Sequence, residues 1–183
     1  MTDFPQLLLV FFAVINPAGS SQLLGHLAGR ARTRAALLGF LVGGGLLVAS
    51  VLSAETILNF LEIEPETFRI AAGIVITAWG VRWMLPIARK DAVPTELLFS
   101  GALPLGWPAI ANPAAVAASL SFGADSGQLG AIAAALVFTA TAVVVAFFMN
   151  ERWRQPAVWA SFTTGALTVI IGANLIVDGV LAV

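Results

Sequence analysis

Two Asn-Pro dipeptides, Asn16-Pro17 and Asn112-Pro113, are the places in this chain where residue type and spacing point to chemistry. Each falls near the middle of an apolar stretch long enough to cross a bilayer. A proline inside a helix removes an N–H donor and clashes with the preceding turn, so it ends one helical segment and begins another. Asparagine is a good N-cap and proline a good first helical residue, so each pair predicts a half-helix that starts inside the membrane. The half-helix from Pro17 is expected to present the N–H groups of Ala18, Gly19 and Ser20, and the one from Pro113 those of Ala114, Ala115 and Val116. Each such terminus is equivalent to about half a positive charge. Two of them converging would hold one carboxylate. The carbonyl ends of the preceding half-helices, near Val14, Ile15 and Ala111, would accept from an ammonium group.

The expected substrate-binding set is therefore Asn16, Pro17, Ala18, Gly19, Ser20, Asn112, Pro113, Ala114 and Ala115, with Thr77 and Thr168 adding hydroxyls from neighbouring helices; Ser21, Ser119 and Thr139 are further hydroxyl candidates. A small zwitterion fits such a site, since these midplane segments contain no Lys, Arg, Asp or Glu. Each residue also has a plainer role open to it. A single proline in a membrane helix is more often a tolerated kink than a ligand site, and Ser and Thr more often bond helix backbones. Repetition of Asn-Pro at matching mid-span positions is what favours a site, because paired broken helices in two halves of a chain mark a transporter's binding site.

Other chemistries are poorly supplied. The chain has no Cys, no Tyr and one histidine, His26, so disulfides, thiolate metal sites and a Cys nucleophile are excluded and no enzyme, metal or organic cofactor is expected. No acid sits clearly at mid-membrane, so an obvious proton relay is missing. Sodium held by backbone carbonyls would leave no trace, and the coupling ion, Na+ or H+, stays open. The residues are 59% hydrophobic and 10% charged with a mean hydropathy of +0.95, against roughly 25% charged in a soluble domain. A net charge of -1 gives no basic surface for nucleic acid, so the expected partners are a small-molecule substrate and the lipid bilayer.

Six apolar segments can be drawn: Phe4 to Leu27, Ala35 to Ala54, Phe68 to Leu85, Leu98 to Phe122, Gln128 to Met149 and Val158 to Val180. Each is about 20 residues or a little longer, the length a helix needs to cross ~30 Å of hydrocarbon. Glu55 to Thr67, with its four Glu residues, reads as a short surface helix or loop. Eight of the nine Lys and Arg residues fall on one side of six such crossings, and only Arg69 on the other. The positive-inside rule then puts both termini outside the cytoplasm of a prokaryotic inner membrane. The halves correspond. Each first span carries an Asn-Pro, and each third span a G-x6-G pair, Gly73 and Gly80, then Gly165 and Gly172. Three spans per unit is an odd number, so the second unit enters the membrane inverted. The expected fold is all-α and integral to the membrane, with six transmembrane helices as two inverted three-helix repeats, residues 1–93 and 94–183, and broken first and fourth helices.

FFAVINPAG (Phe11 to Gly19), FRIAAGI (Phe68 to Ile74), LPLGWPAIANPAAVA (Leu103 to Ala117) and NLIVDGV (Asn174 to Val180) resemble, in order, four landmarks of the MarC family of six-span prokaryotic membrane proteins. The chain departs from the family pattern at Ser20-Ser21-Gln22, where another Pro is usual, and at Asn112-Pro113-Ala114, where Gly-Pro-Gly is common. The resemblance implies a membrane transporter of small polar solutes, with neutral amino acids foremost, working by alternating access. The same broken helices would also build a channel, facilitator or exporter for another small metabolite, and a non-transporting accessory protein would share this composition.

Overall fold

The first apolar stretch divides where Asn16 stands, giving α1 (Phe4–Ile15) and the short α2 (Pro17–Ser20) in a computed structural model that describes residues 4–20, 23–24, 27, 29–85, 101–125, 128–149 and 151–183. Beyond it lie α3 (Gly29–Phe60), α4 (Pro65–Met84), a π-helical segment (Gly101–Ile110), α5 (Pro113–Asp125), α6 (Gln128–Phe148) and, after a 3-10 turn, α7 (Arg154–Ala182). Among the described residues there is no strand. Among the described residues, three stretches, Gly29–Phe60, Gln128–Phe148 and Gln155–Ala182, are long and apolar enough to cross a membrane, while Phe4–Ser20 and Pro113–Ala124 are shorter apolar pieces. The proposed repeat boundary near Arg89 to Glu96, the start of the fourth span at Leu98, and Ser21 and His26 lie outside the described residues.

Large apolar side chains such as Leu37, Leu129, Val144, Ile170 and Leu181 are exposed, whereas the interior is rich in alanine, from Ala13 and Ala72 to Ala114, Ala118, Ala131 and Ala142. Small interior residues let membrane helices approach closely, and the apolar exterior meets lipid. One such close approach is the seam between α4 and α7. A Cβ added at Gly73 would lie 2.6 Å from the Gly172 carbonyl oxygen, and one at Gly80 would lie 2.8 Å from that of Gly165. Gly179 meets Ile70 in the same way, so the two helices run antiparallel.

Side-chain contacts fix the other directions. Gly106 meets Val42, Gly43 meets Ile110 and Gly123 meets Val51, so α3 runs parallel to the π segment and α5. Gly130 meets Leu7 while Phe12 packs edge-on to Phe138 at 5.6 Å, so α1 runs parallel to α6. At the start of α3, Arg32 Nη2 donates to the Met149 carbonyl (2.9 Å) and the Ala146 carbonyl (3.3 Å), and Gly44 meets Leu136, so α3 is antiparallel to α6.

Two local expectations are corrected. Helix α3 continues through Glu55 to Phe60 because Leu47, Val51, Ala54 and Leu58 carry its buried stripe onward. It then closes tightly. Glu62 is left-handed (φ 53°), with Ile63 N–H bonded to the Leu58 carbonyl at 3.0 Å and Glu62 N–H to that of Asn59 at 3.2 Å, a closure that satisfies the last carbonyls of a helix. The other correction concerns the piece ahead of Asn112, which is wound as a π-helix, as the Ala111 N–H bond to the Gly106 carbonyl shows. Pro108 within this segment lacks an N–H group and cannot donate to the turn before it, so the regular α pattern is interrupted there.

Candidate functional site

At the first break Asn16 adopts a left-handed backbone (φ 48°), which asparagine tolerates better than other non-glycine residues. This turns the chain out of α1 and places the side chain over the start of α2. Its Oδ1 accepts from the Gly19 N–H at 3.1 Å, and its Nδ2 donates to Ser161 Oγ of α7 at 2.8 Å. At the second break Asn112 is fully buried, and its Oδ1 accepts from the Ala115 N–H at 3.0 Å. Both asparagines are thus N-caps of the helices that follow, at the third helical N–H in each case.

Asn112 does more than cap. Its Nδ2 donates to the Val14 carbonyl at 2.7 Å, with the Ala109 and Ile110 carbonyls at 3.2 and 3.4 Å. The two breaks therefore touch directly. Breaking a helix orphans its last carbonyls, and buried ones need partners. Val14 finds Asn112, and Ala13 finds Thr168, whose hydroxyl lies 3.0 Å from the Ala13 carbonyl oxygen and 2.8 Å from that of Thr164.

The anticipated residues are only partly gathered. Asn16, Pro17, Ser20, Asn112, Ala114, Ala115 and Thr168 are buried, and Ala18, Gly19 and Pro113 are half-buried. All of them lie at the breaks or, for Thr168, against one of them. Thr77 lies elsewhere on α4, on its seam with α7 against Gly172, with its hydroxyl buried and unpartnered among the described residues. The donors also differ from expectation. In this conformation the caps take the N–H groups of Gly19 and Ala115, and the Val116 N–H bonds the Asn112 carbonyl at 3.0 Å. Val14, expected to face an ammonium group, faces the Asn112 amide. No three His, Asp or Glu side chains come together among the described residues.

With this geometry in view, comparison with known proteins is decisive. The sequence pattern of MarC family integral membrane proteins matches residues 1–183, the whole chain. The chain belongs to the MarC family. Similar to this MarC protein are a UPF0056 membrane protein of Pyrococcus horikoshii, 26% identical over 155 residues that cover 80% of this chain and 73% of the relative, and one of Chlamydia pneumoniae, 28% identical over 147 residues covering 76% and 69%. No solved structure matches it. One residue at the breaks escaped sequence reasoning: Ser161, the partner of Asn16. Nothing local separates it from Thr163 and Thr164 beside it, because the signal is the three-dimensional approach of α7 to the first break.

Proposed function

We propose that this MarC protein carries small zwitterionic solutes, with neutral amino acids as the class, across a prokaryotic inner membrane by alternating access between the two breaks. The observation that carries this reading is the hydrogen bond from Asn112 to the Val14 carbonyl. It pairs a donor with an acceptor deep in an apolar body, where an incoming carboxylate and ammonium would replace each in kind. The Ala18 and Ala114 N–H groups and two helix N-termini add to the pull on the carboxylate. A solute with net charge would enter without a formal counter-charge, at a cost of several kcal/mol.

Six crossings as inverted repeats fit the same reading. Exchanging the halves, so that α1 and α2 stand for the π segment and α5, α3 for α6 and α4 for α7, turns the parallel pair of α3 and α5 into the parallel pair of α6 and α1. The antiparallel pairs map onto themselves. Arg32 binds the Met149 carbonyl, three residues before Arg152, so the first arginine cluster and Arg152 belong to the same end of α6, as expected if both lie in the cytoplasm. Because the chain has no Cys, single cysteines placed at Asp3, Glu62 and Asp125 are expected to react with an impermeant thiol reagent outside intact cells, and those at Thr33, Asp91 and Gln155 are not. The reverse pattern refutes the orientation, and correct labelling of only one half refutes six crossings.

Transport is tested in liposomes, with sodium and proton gradients tried in turn. Uptake of alanine is expected to be saturable, competed by glycine or serine, and weakly competed by lysine or glutamate. Equal flux of lysine and alanine overturns the zwitterion reading, and flux without saturation or counterflow identifies a channel or facilitator. Asn16→Asp sharpens the test. Its cap acceptor survives, and the Ser161 hydroxyl can turn to donate to the new carboxylate, so the variant folds while repelling a carboxylate solute. Normal alanine uptake by this folded variant rules out an anion site at the first break.

A further inference from the structure

We propose that a groove between α3 and α6 is a site for an anionic phospholipid. The groove is open along its length, has a volume of about 400 Å³ and is lined by Thr33, Leu37 and Phe40 from α3 and Val143, Val144 and Phe147 from α6, with an almost wholly apolar wall. Thr33 to Phe40 spans two turns of α3, about 10 Å, which covers most of one leaflet of a ~30 Å hydrocarbon core. Its length and chemistry suit an acyl chain.

Charge at the mouth selects the headgroup. Arg30 lies one turn before Thr33, and Arg34 one turn before Leu37, so both flank the groove's open end. Both are exposed, and neither has a hydrogen bond or ion pair among the described residues. Arg32 between them is engaged, bonded to the carbonyls at the end of α6 and stacked 5.3 Å from the Phe147 ring, where it fixes one wall. The first turn of α3 holds no acid, so cationic side chains crowd the positive end of a helix, an unfavourable arrangement that a bound phosphate reverses. A zwitterionic lipid would fill the wall but leave the mouth's charge unmet. A second protein copy with the same mouth would repel it.

The test uses the full chain purified in detergent, with phosphatidylglycerol and phosphatidylcholine of identical acyl chains as probes, read by native mass spectrometry and by melting temperature. Phosphatidylglycerol is expected to remain bound and to raise the melting temperature more than phosphatidylcholine does. In R30Q/R34Q its preference should fall by roughly thirtyfold, since each basic residue near an anionic surface contributes a factor of about five, while R30K/R34K retains it. Val144→Trp, which fills the groove and leaves the arginines intact, should also expel the lipid. Equal retention of the two lipids by the native chain, unchanged preference in R30Q/R34Q, or the same stabilisation by glycerol phosphate without an acyl chain overturns the proposal. So does a lipid-free dimer that Val144→Trp converts to monomer. None of these readouts depends on solute transport.

Discussion

Replacing Asn112 with Ala is expected to reduce both stability and flux more than an alanine at any other residue of the breaks. The variant loses an N-cap, worth about 1 kcal/mol, and strands the buried Val14 carbonyl, worth a further ~1–3 kcal/mol. A chain of this length should then melt several degrees lower. Asn112→Asp is expected to be no better. It keeps the acceptor for the Ala115 N–H, but it places a carboxylate where three carbonyl oxygens lie within 3.4 Å. Melting curves of the two variants beside Asn16→Asp check this. If Asn112→Asp melts with the native chain, the contact between the breaks carries none of the assigned energy.

The glycine seam carries the other large effect. At Gly172 an added Cβ would lie 2.7 Å from both the Gly73 carbonyl oxygen and the Thr77 backbone nitrogen. Backbone atoms cannot rotate aside as a side-chain tip can, so Gly172→Leu must part α4 from α7, and overpacking of this kind typically costs about 1–3 kcal/mol. The control is internal. Gly45, in the middle of α3, has nothing within 4 Å of its missing Cβ, and Gly45→Ala is expected to be stabilising by up to ~1 kcal/mol through helix propensity. Expression and melting temperature of the two variants should therefore move in opposite directions. A Gly172→Leu protein as stable as the native one would mean that the seam is looser than drawn.

The residues that break helices were the legible part of this chain. Proline has few places in a buried helix, so Asn16-Pro17 and Asn112-Pro113 announced both breaks, whereas the G-x6-G pairs marked two corresponding spans without telling that those spans meet in the α4–α7 seam. Side-chain reach was not legible. Asn112 and Val14 are separated by 98 positions, and no local pattern tells that an amide crosses to that carbonyl or that Ser161 meets Asn16. Thr77 and Thr168 looked alike as polar residues in third spans, yet only Thr168 turns toward a break, because the close face of α4 is given to α7. The length of α3 was underestimated because Glu55 looked like surface, although the apolar positions around it keep the helical period. The π winding was hidden in the same way: Pro104 and Pro108 mark a disturbance in a helix without saying which form the helix takes.

The two asparagines are chemically identical but not equally held. Asn16 sits in a left-handed backbone and is tied across the molecule to a hydroxyl, while Asn112 lies outside that region and is tied to a main-chain carbonyl. In a carrier whose halves trade places during each cycle, identical hinges would leave the inward-open and outward-open forms equally populated. Unequal hinges tilt that balance, and only 1.4 kcal/mol is needed for a tenfold preference. If the proposed carrier function holds, the empty protein would then wait on one side of the membrane, with a higher apparent affinity on that face than on the other.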